Sequence, residues 1–332
     1  MRVISYIKAI REALDEEMER DERVMVMGQD VGAFGGVFSV TRGLFDKYGP
    51  ERVRDTPISE NFIVGGGVGL ALGGLRPVVE LQYADFIAIT MDEIYNKAAK
   101  WRYMHGGYMN VPMVIRAPEG AAGGSGPEHS QCPEHLLMSA AGLYVVTPAT
   151  PADAKGLLKS AIRNENPVVF LEHKGLYNQR GEVPDGDHLV PIGEAAVRRV
   201  GADLTIVAWS AMVGQALAAA EVLAERGVDV EVIDPRGVRP IDYATIETSV
   251  RKTGRLLIAH ESPLIGGHGG EVAAHIGEKC FNELKGAIRR IGAPDIPLPQ
   301  NVELEKFVLP TSETIINMGE VMMANTKSGA GR

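Results

Sequence analysis

The sequence predicts an α/β protein of two domains, each built on a parallel-type sheet flanked by helices. Three observations predict it. Short β-branched runs, apolar nearly throughout, recur at regular distances, as strands buried on both faces require. Helical patterns fill the intervals between them. One stretch rich in Gly, Pro and Asp, without periodicity, divides the runs into two sets.

In chain order, MRVISYIKAIREALDEEMERDER reads as a charged amphipathic helix rather than a signal or transit peptide. The first set of strands is Val24–Met27, Val78–Leu81, Met113–Arg116, Leu143–Thr147 and Val168–Glu172. Between them, Ile87, Met91, Ile94, Ala98, Trp101 and His105 fall on one helical face, and Asp92, Glu93, Asn96, Lys97 and Lys100 on the other. Thr56 before Pro57 predicts a helix start. Residues 174–193, KGLYNQRGEVPDGDHLVPIG, read as a loop. The second set of strands is Leu204–Ala208, Val230–Asp234 and Leu256–His260. Val213, Leu217, Ala220 and Ala224 form a helical stripe ended by Gly227. The expected domains are 1–175 and 196–325, with 176–195 as linker. The terminal NTKSGAGR is expected to fray.

Composition excludes several function classes. The chain has 332 residues and a formal net charge of −9, which disfavours a general nucleic-acid binder. Its two cysteines, Cys132 and Cys280, stand in no CxxC pair, so a secreted disulfide scaffold is excluded and a reducing cytoplasm is expected. No apolar run reaches the roughly 18 residues of a membrane span. The P-loop, GxSxG and HExxH patterns are absent. Also absent is Gly-Asp-Gly followed by Asn-Asn, the pattern that binds magnesium diphosphate in thiamine enzymes.

Three constellations carry candidate chemistry. Asp55–Asn61 precedes a glycine run, Gly65–Gly74, whose GxGxxxG spacing is not a dinucleotide fingerprint. That run reads as close helix packing. Glu60 just ahead of it is ordinarily a surface acid facing a helix dipole; the functional alternative is a half-buried carboxyl that holds or donates a proton. Next, the Gly-rich loop 117–135 follows a strand, where α/β folds place ligands. His129 in it is either a capping or core histidine or an acid–base group. His129, Cys132 and His135 are three potential metal ligands without a fourth in a recognisable pair, which disfavours zinc. Last, Glu172-His173-Lys174 and His260-Glu261, with Gly266–Gly270 beyond, end strands and are weak signals.

The segments Asp55–Asn61, Arg76–Phe86, Glu128–Gln131, Asp153–Leu157, Asn166–Lys174, Ile233–Arg236 and Lys252–Arg255 together resemble one family. It is the beta subunit of the decarboxylating first component of 2-oxo acid dehydrogenase complexes, in the transketolase superfamily. The resemblance runs from about residue 3 to 323. It implies a transketolase-like pyrimidine-binding domain followed by a transketolase C-terminal-like domain. It implies thiamine diphosphate shared with an alpha subunit, which holds the diphosphate mainly through Mg2+, in a heterotetramer of two alpha and two beta chains. Glu60 matches the glutamate that hydrogen-bonds ring nitrogen N1′ of the cofactor and favours its imino tautomer. Ile58, Gln82, Tyr83 and Phe86 match the wall around the pyrimidine. His129 matches a histidine that assists reductive acylation of a lipoyl group, although Pro127-Glu128 ahead of it departs from the usual small residue plus Gln.

Some members hold a potassium ion, and the matching positions are Met113, Ala161, Asn164 and Asn166, with Asn164 replacing the acid. A lipoyl-bearing acyltransferase core is expected to dock on the C-terminal domain. The substrate expected is a 2-oxo acid, pyruvate or branched-chain. Glu172–Lys174 and Gly181–Pro184 look like the acetoin and pyruvate members, whereas Glu80–Asp85 is closer to the branched-chain ones. An acetoin dehydrogenase subunit, a split transketolase acting on sugars, a non-catalytic scaffold and a stand-alone nucleotide binder are the rival readings.

Overall fold

The computed structural model describes residues 1–324, and the expected fraying of 325–332 lies outside the described residues. The chain divides into two compact units, one of residues 1–122 and 128–192, the other of residues 123–127 and Gly193 onward.

In chain order, unit 1 comprises β1 (Arg2–Ser5), α1 (Tyr6–Arg20), β2 (Val24–Gly28), α2 (Leu44–Tyr48), β3 (Val53–Asp55) and α3 (Glu60–Leu72). There follow β4 (Arg76–Glu80), α4 (Trp101–Met104), β5 (Val114–Glu119), α5 (Glu134–Met138), β6 (Tyr144–Val146), α6 (Pro151–Arg163), β7 (Val168–His173) and β8 (Arg180–Val183). The parallel strands run in the order β6-β7-β5-β4-β2-β3. Strands β2, β4, β5 and β7 are buried along their whole length, which is why each reads as a continuous apolar run. From β2 the chain goes to β3 on one side and to β4 on the other. The carboxyl ends of β2 and β4 are therefore a topological switch point, the place where open α/β sheets bind ligands.

Gly67 explains the glycine run. A Cβ there would lie 2.8 Å from Val79 and Met113 side-chain atoms, so glycine lets α3 lie close on β4 and on Met113 just ahead of β5. The α3 helix starts later than Thr56-Pro57 predicts. The Thr56 N–H bonds the Gly28 carbonyl at the end of β2 (2.9 Å), and the first helical bond runs from Ile63 N to Ser59 O (2.9 Å).

Two further expectations are corrected. The face from Ile87 to His105 is not one helix: a 3₁₀ turn spans Ala84–Thr90, a π turn Glu93–Ala98, then α4. Thr90 Oγ1 donates back to the Ile87 carbonyl (2.9 Å) and Ala99 N reaches Ile94 O (2.9 Å), local bonds that tighten and then widen the winding. The expected loop 174–193 contains β8, which pairs antiparallel with β1; its charged, half-exposed sequence RGEV hides the strand period.

Unit 2 comprises β9 (Ala196–Arg199), β10 (Leu204–Ala208), α7 (Ala211–Glu225), β11 (Val230–Asp234), β12 (Gly237–Arg239) and α8 (Tyr243–Thr253). It continues with β13 (Leu256–Pro263), α9 (Gly269–Lys279), β14 (Arg289–Ala293), α10 (Val302–Val308) and α11 (Ser312–Ala324). Its sheet runs β14-β13-β10-β11-β9, parallel except for the β11–β9 pair. The buried line of α7 is Val213, Ala216, Ala220 and Leu223, so the stripe turns away from Leu217 and Ala224. Residues 123–127, expected in the first domain, count with this unit, where the Glu305 carboxylate accepts the N–H groups of Gly123 (3.1 Å) and Gly124 (2.9 Å).

Candidate active site

Strand β4 carries the chain to the switch point and ends at Glu80, and Leu81, Gln82 and Tyr83 follow it. The Gln82 side-chain amide donates to the Gln29 carbonyl (2.8 Å), tying the loop after β4 to the loop after β2. The Gln82–Tyr83 peptide bond is cis. Tyr83 meets the His129 ring edge-on at 4.6 Å between centroids, and Phe86 meets the same ring edge-on at 5.7 Å. Phe38 packs edge-on to Tyr83 at 5.6 Å and tilted against Tyr177 at 5.1 Å. Gln82, Tyr83, Phe86 and His129 are each half-buried, so the ring wall keeps a face open. The fold thus brings together four of the residues singled out from sequence. Glu60 is half-buried in the first turn of α3, which packs against the 3₁₀ turn bearing Phe86. Ile58, in the loop before α3, is 73% exposed.

The loop bearing His129 is held from three sides. Lys174 Nζ donates to the His129 carbonyl (2.6 Å), Gln131 N donates to Asp85 Oδ1 (3.1 Å), and Gly120 N donates to Gln131 O (3.1 Å). The Lys174 ammonium also lies 5.2 Å from the centre of the Tyr83 ring. Burial pushes the Asp85 carboxyl up from its ordinary range, against the pull of these bonds and of Lys174 and His129.

Beneath the wall is a buried ionic trio. Glu80 and Arg116 are register partners on β4 and β5, and Glu172 lies two residues beyond Phe170, the β7 partner of Arg116. Side chains alternate along strands, so all three leave the same face. Arg116 Nη1 donates to Glu80 at 2.5 Å, and Nη2 donates to Glu172. All three are buried. One guanidinium facing two carboxylates leaves an excess negative charge. Burial, then the repulsion of Glu80, pushes Glu172 up to about 7 against the pull of Arg116. The phenols of Tyr6 and Tyr177 are pushed up by burial and by the Glu172 charge. Sequence reasoning passed over Arg116, Glu80 and Phe38. The signal was there in part: a charged residue inside each of three apolar strand runs, RPVVE, VIRA and VVFLEH.

The weaker motifs resolve as packing. His173 Nδ1 accepts from Gly175 N (3.1 Å) and closes the turn after β7. A Cβ on Gly120, at φ +79°, would collide with the His173 ring. In unit 2, His260, Ser262 and His268 form a buried cluster, with His268 edge-on to Trp209 at 4.6 Å. Gly267 and Gly269 leave room for the His260 ring.

The metal expectations change. Cys132 is grouped with Glu119 and Glu134, all buried with ligand atoms within 4.8 Å, rather than with His129 and His135. His135 is instead pushed below its ordinary value by burial. At the potassium positions, the Met113 carbonyl accepts from Val168 N (3.0 Å) and that of Ala161 from Asn164 N (3.1 Å). The Asn164 carbonyl accepts from Arg76 (3.1 Å), its Oδ1 from Asn166 N (2.8 Å), and Asn166 Oδ1 from Arg102 (2.9 Å). Each of these oxygens already accepts one N–H, and Arg76 brings its own positive charge to the Asn164 carbonyl, which weakens the set as a potassium site.

Comparison with known proteins decides the family. The chain matches the transketolase pyrimidine-binding domain over residues 2–180 and the transketolase C-terminal domain over residues 193–315. It is 47% identical over 312 residues to the Arabidopsis thaliana mitochondrial pyruvate dehydrogenase E1 component subunit beta-1, covering 93% of this chain and 86% of that one. The chain belongs to the E1 beta-subunit family of 2-oxo acid dehydrogenases. Within that family it is 44% identical over 317 residues to the 2-oxoisovalerate dehydrogenase subunit beta of Bacillus subtilis, covering 95% and 97% of the two chains. It is 41% identical over 324 residues to the acetoin:2,6-dichlorophenolindophenol oxidoreductase subunit beta of Cupriavidus necator, covering 95% and 96%. A split-gene transketolase, solved as an inactive beta4 tetramer, superposes with a TM-score of 0.79 at 26% identity, covering 97% and 98%. The dehydrogenase relatives are oxidoreductase components, and the family is implied to depend on thiamine diphosphate. Among the described residues, no helix is long and apolar enough to cross a membrane.

Proposed function

We propose that this chain, joined to an alpha subunit, oxidatively decarboxylates a 2-oxo acid with thiamine diphosphate and passes the acyl group to a lipoyl group on an acyltransferase. One observation carries the reading. A half-buried carboxyl, Glu60, and a half-open aromatic wall, Tyr83, Phe86 and His129, occupy adjoining elements at a parallel sheet's switch point. A carboxyl that can share a proton with a ring nitrogen, on an element adjoining aromatic surfaces, fits an aminopyrimidine ring. Bound there, thiamine diphosphate supplies the electron sink for loss of CO2.

The chain's own residues do four things in this reading. Glu60 holds a proton toward the pyrimidine N1′. Tyr83 and Phe86 wall the ring and exclude water, with Ile58 at the rim and Gln82 fixing the loop. His129 orients or protonates the lipoyl sulfur during transfer. Mg2+ and the diphosphate belong to the alpha subunit, since this chain lacks their motif. Unit 2 is the proposed dock for the acyltransferase. The cytoplasm is the proposed compartment, supported by two buried cysteines that stay as thiols.

Relatives from pyruvate, 2-oxoisovalerate and acetoin systems are 47%, 44% and 41% identical to this chain, so identity alone does not choose among them. Acetoin is therefore the second reading, favoured by the Cupriavidus relative. The test is co-expression with the alpha subunit, native mass spectrometry, and dye-linked oxidation of pyruvate, 2-oxoisovalerate and acetoin with and without thiamine diphosphate and Mg2+. A heterotetramer with cofactor-dependent turnover of one substrate supports the reading. A chain that takes no partner, or an assembly without cofactor-dependent turnover, overturns it.

A further inference from the structure

We infer that Lys174 is a positioning residue for His129: its ammonium fixes the His129 carbonyl and thereby aims the imidazole for acyl transfer. This rests on the function proposed above for His129.

The geometry is specific. Lys174 is only 7% exposed, and a buried ammonium is retained where acceptors replace its water. One acceptor is the His129 carbonyl at 2.6 Å, and a second favourable surface is the Tyr83 ring at 5.2 Å. Its backbone has little freedom. Glu172, two residues earlier, is bonded to Arg116, and His173 closes the following turn by accepting from Gly175 N. The lysine therefore reaches back from a fixed strand end. The imidazole is meanwhile gripped edge-on by Tyr83 and Phe86. A carbonyl held by the cation and a ring flanked by two aromatics together restrict the orientation of the half-buried imidazole.

The test uses the assembled enzyme with its alpha subunit, thiamine diphosphate and Mg2+. Two reactions are compared: 2-oxo acid oxidation by 2,6-dichlorophenolindophenol, which bypasses acyl transfer, and reductive acylation of the lipoylated domain of its acyltransferase. Lys174→Met keeps the aliphatic stem and removes the donor. The ratio of acylation to dye reduction is expected to fall about 10- to 100-fold, the scale of an angstrom-sized misplacement. Lys174→Arg is expected to restore most of it. Hydrogen exchange of amides 128–131 is expected to quicken in Lys174→Met, and in Lys174→Gln should the methionine variant assemble poorly.

An unchanged ratio, or unchanged exchange at 128–131, overturns the inference. The two failures are separable. If the wild-type enzyme shows neither reaction, the proposed function fails, while the exchange rates at 128–131 still decide whether Lys174 holds that loop.

Discussion

Replacing Glu172 by glutamine tests the buried trio directly. The carboxyl titrates near 7 in the fold against an ordinary 4.5. At about 1.4 kcal/mol for each pH unit, that difference corresponds to about 3 kcal/mol. The folded chain holds this proton more tightly than the unfolded chain. The stabilisation is therefore fully present below about pH 4.5 and is lost as pH rises through 7. Glutamine has no proton to lose and keeps an oxygen for Arg116 Nη2. The variant should match the wild type near pH 4.5 and exceed it by about 3 kcal/mol at pH 8. Other shifted groups do not confuse the reading. Asp21, bonded to Arg23, is held down to about 2, below the window. His135, pushed down by burial, titrates alike in both proteins and cancels in the difference.

Hydrogen-exchange mass spectrometry along a urea series, reading β5 and β7 peptides at pH 5, 6, 7 and 8, isolates unit 1. A stability difference that stays flat with pH, or that favours the wild type as pH rises, refutes the account of the trio.

Two more outcomes follow from the site. Glu60→Gln in the assembled enzyme should cut thiamine-dependent turnover by about 10²- to 10⁴-fold, the usual worth of a positioned acid–base group, with the unfolding midpoint nearly unchanged; steady-state dye reduction with a thermal melt reads both. Gly120→Ala should cost at least about 2 kcal/mol, since the new methyl meets the His173 ring at a φ of +79°; urea unfolding of the full chain measures it, and a neutral result would mean that the His173 ring moves freely.

The central strands were legible because burial on both faces leaves an uninterrupted apolar signature, as in VMVMG and VVFLEH. The edges were not. Strands β3, β9 and β14 each end a sheet and read VRD, AVRR and RRIGA, where charges guard an open ladder and erase the period. The segment 84–104 showed part of the buried face, Ile87, Ile94 and Ala98, but a Thr90 side-chain bond and a wide Ala99–Ile94 backbone bond changed the helical winding, and Trp101 and His105 lie outside that face. Glu60, Gln82, Tyr83, Phe86 and His129 could be picked out by resemblance. What no local pattern carried was the set of long-range partners, Lys174 with His129 and Arg116 with two acids, because those pairings exist only once parallel strands align.

The collision latent at Gly120 has an evolutionary side. Its vacant side-chain position and the His173 ring are two halves of one volume, held by residues far apart in the chain. A lineage that enlarges residue 120 must shrink residue 173 and still bear the strain of a side chain at φ +79°, and in doing so it gives up the imidazole that receives the Gly175 N–H. The order of inheritance at this end of the sheet is thus constrained: the smaller substitution at 173 has to arrive before the larger one at 120, and descendants should carry the two changes together.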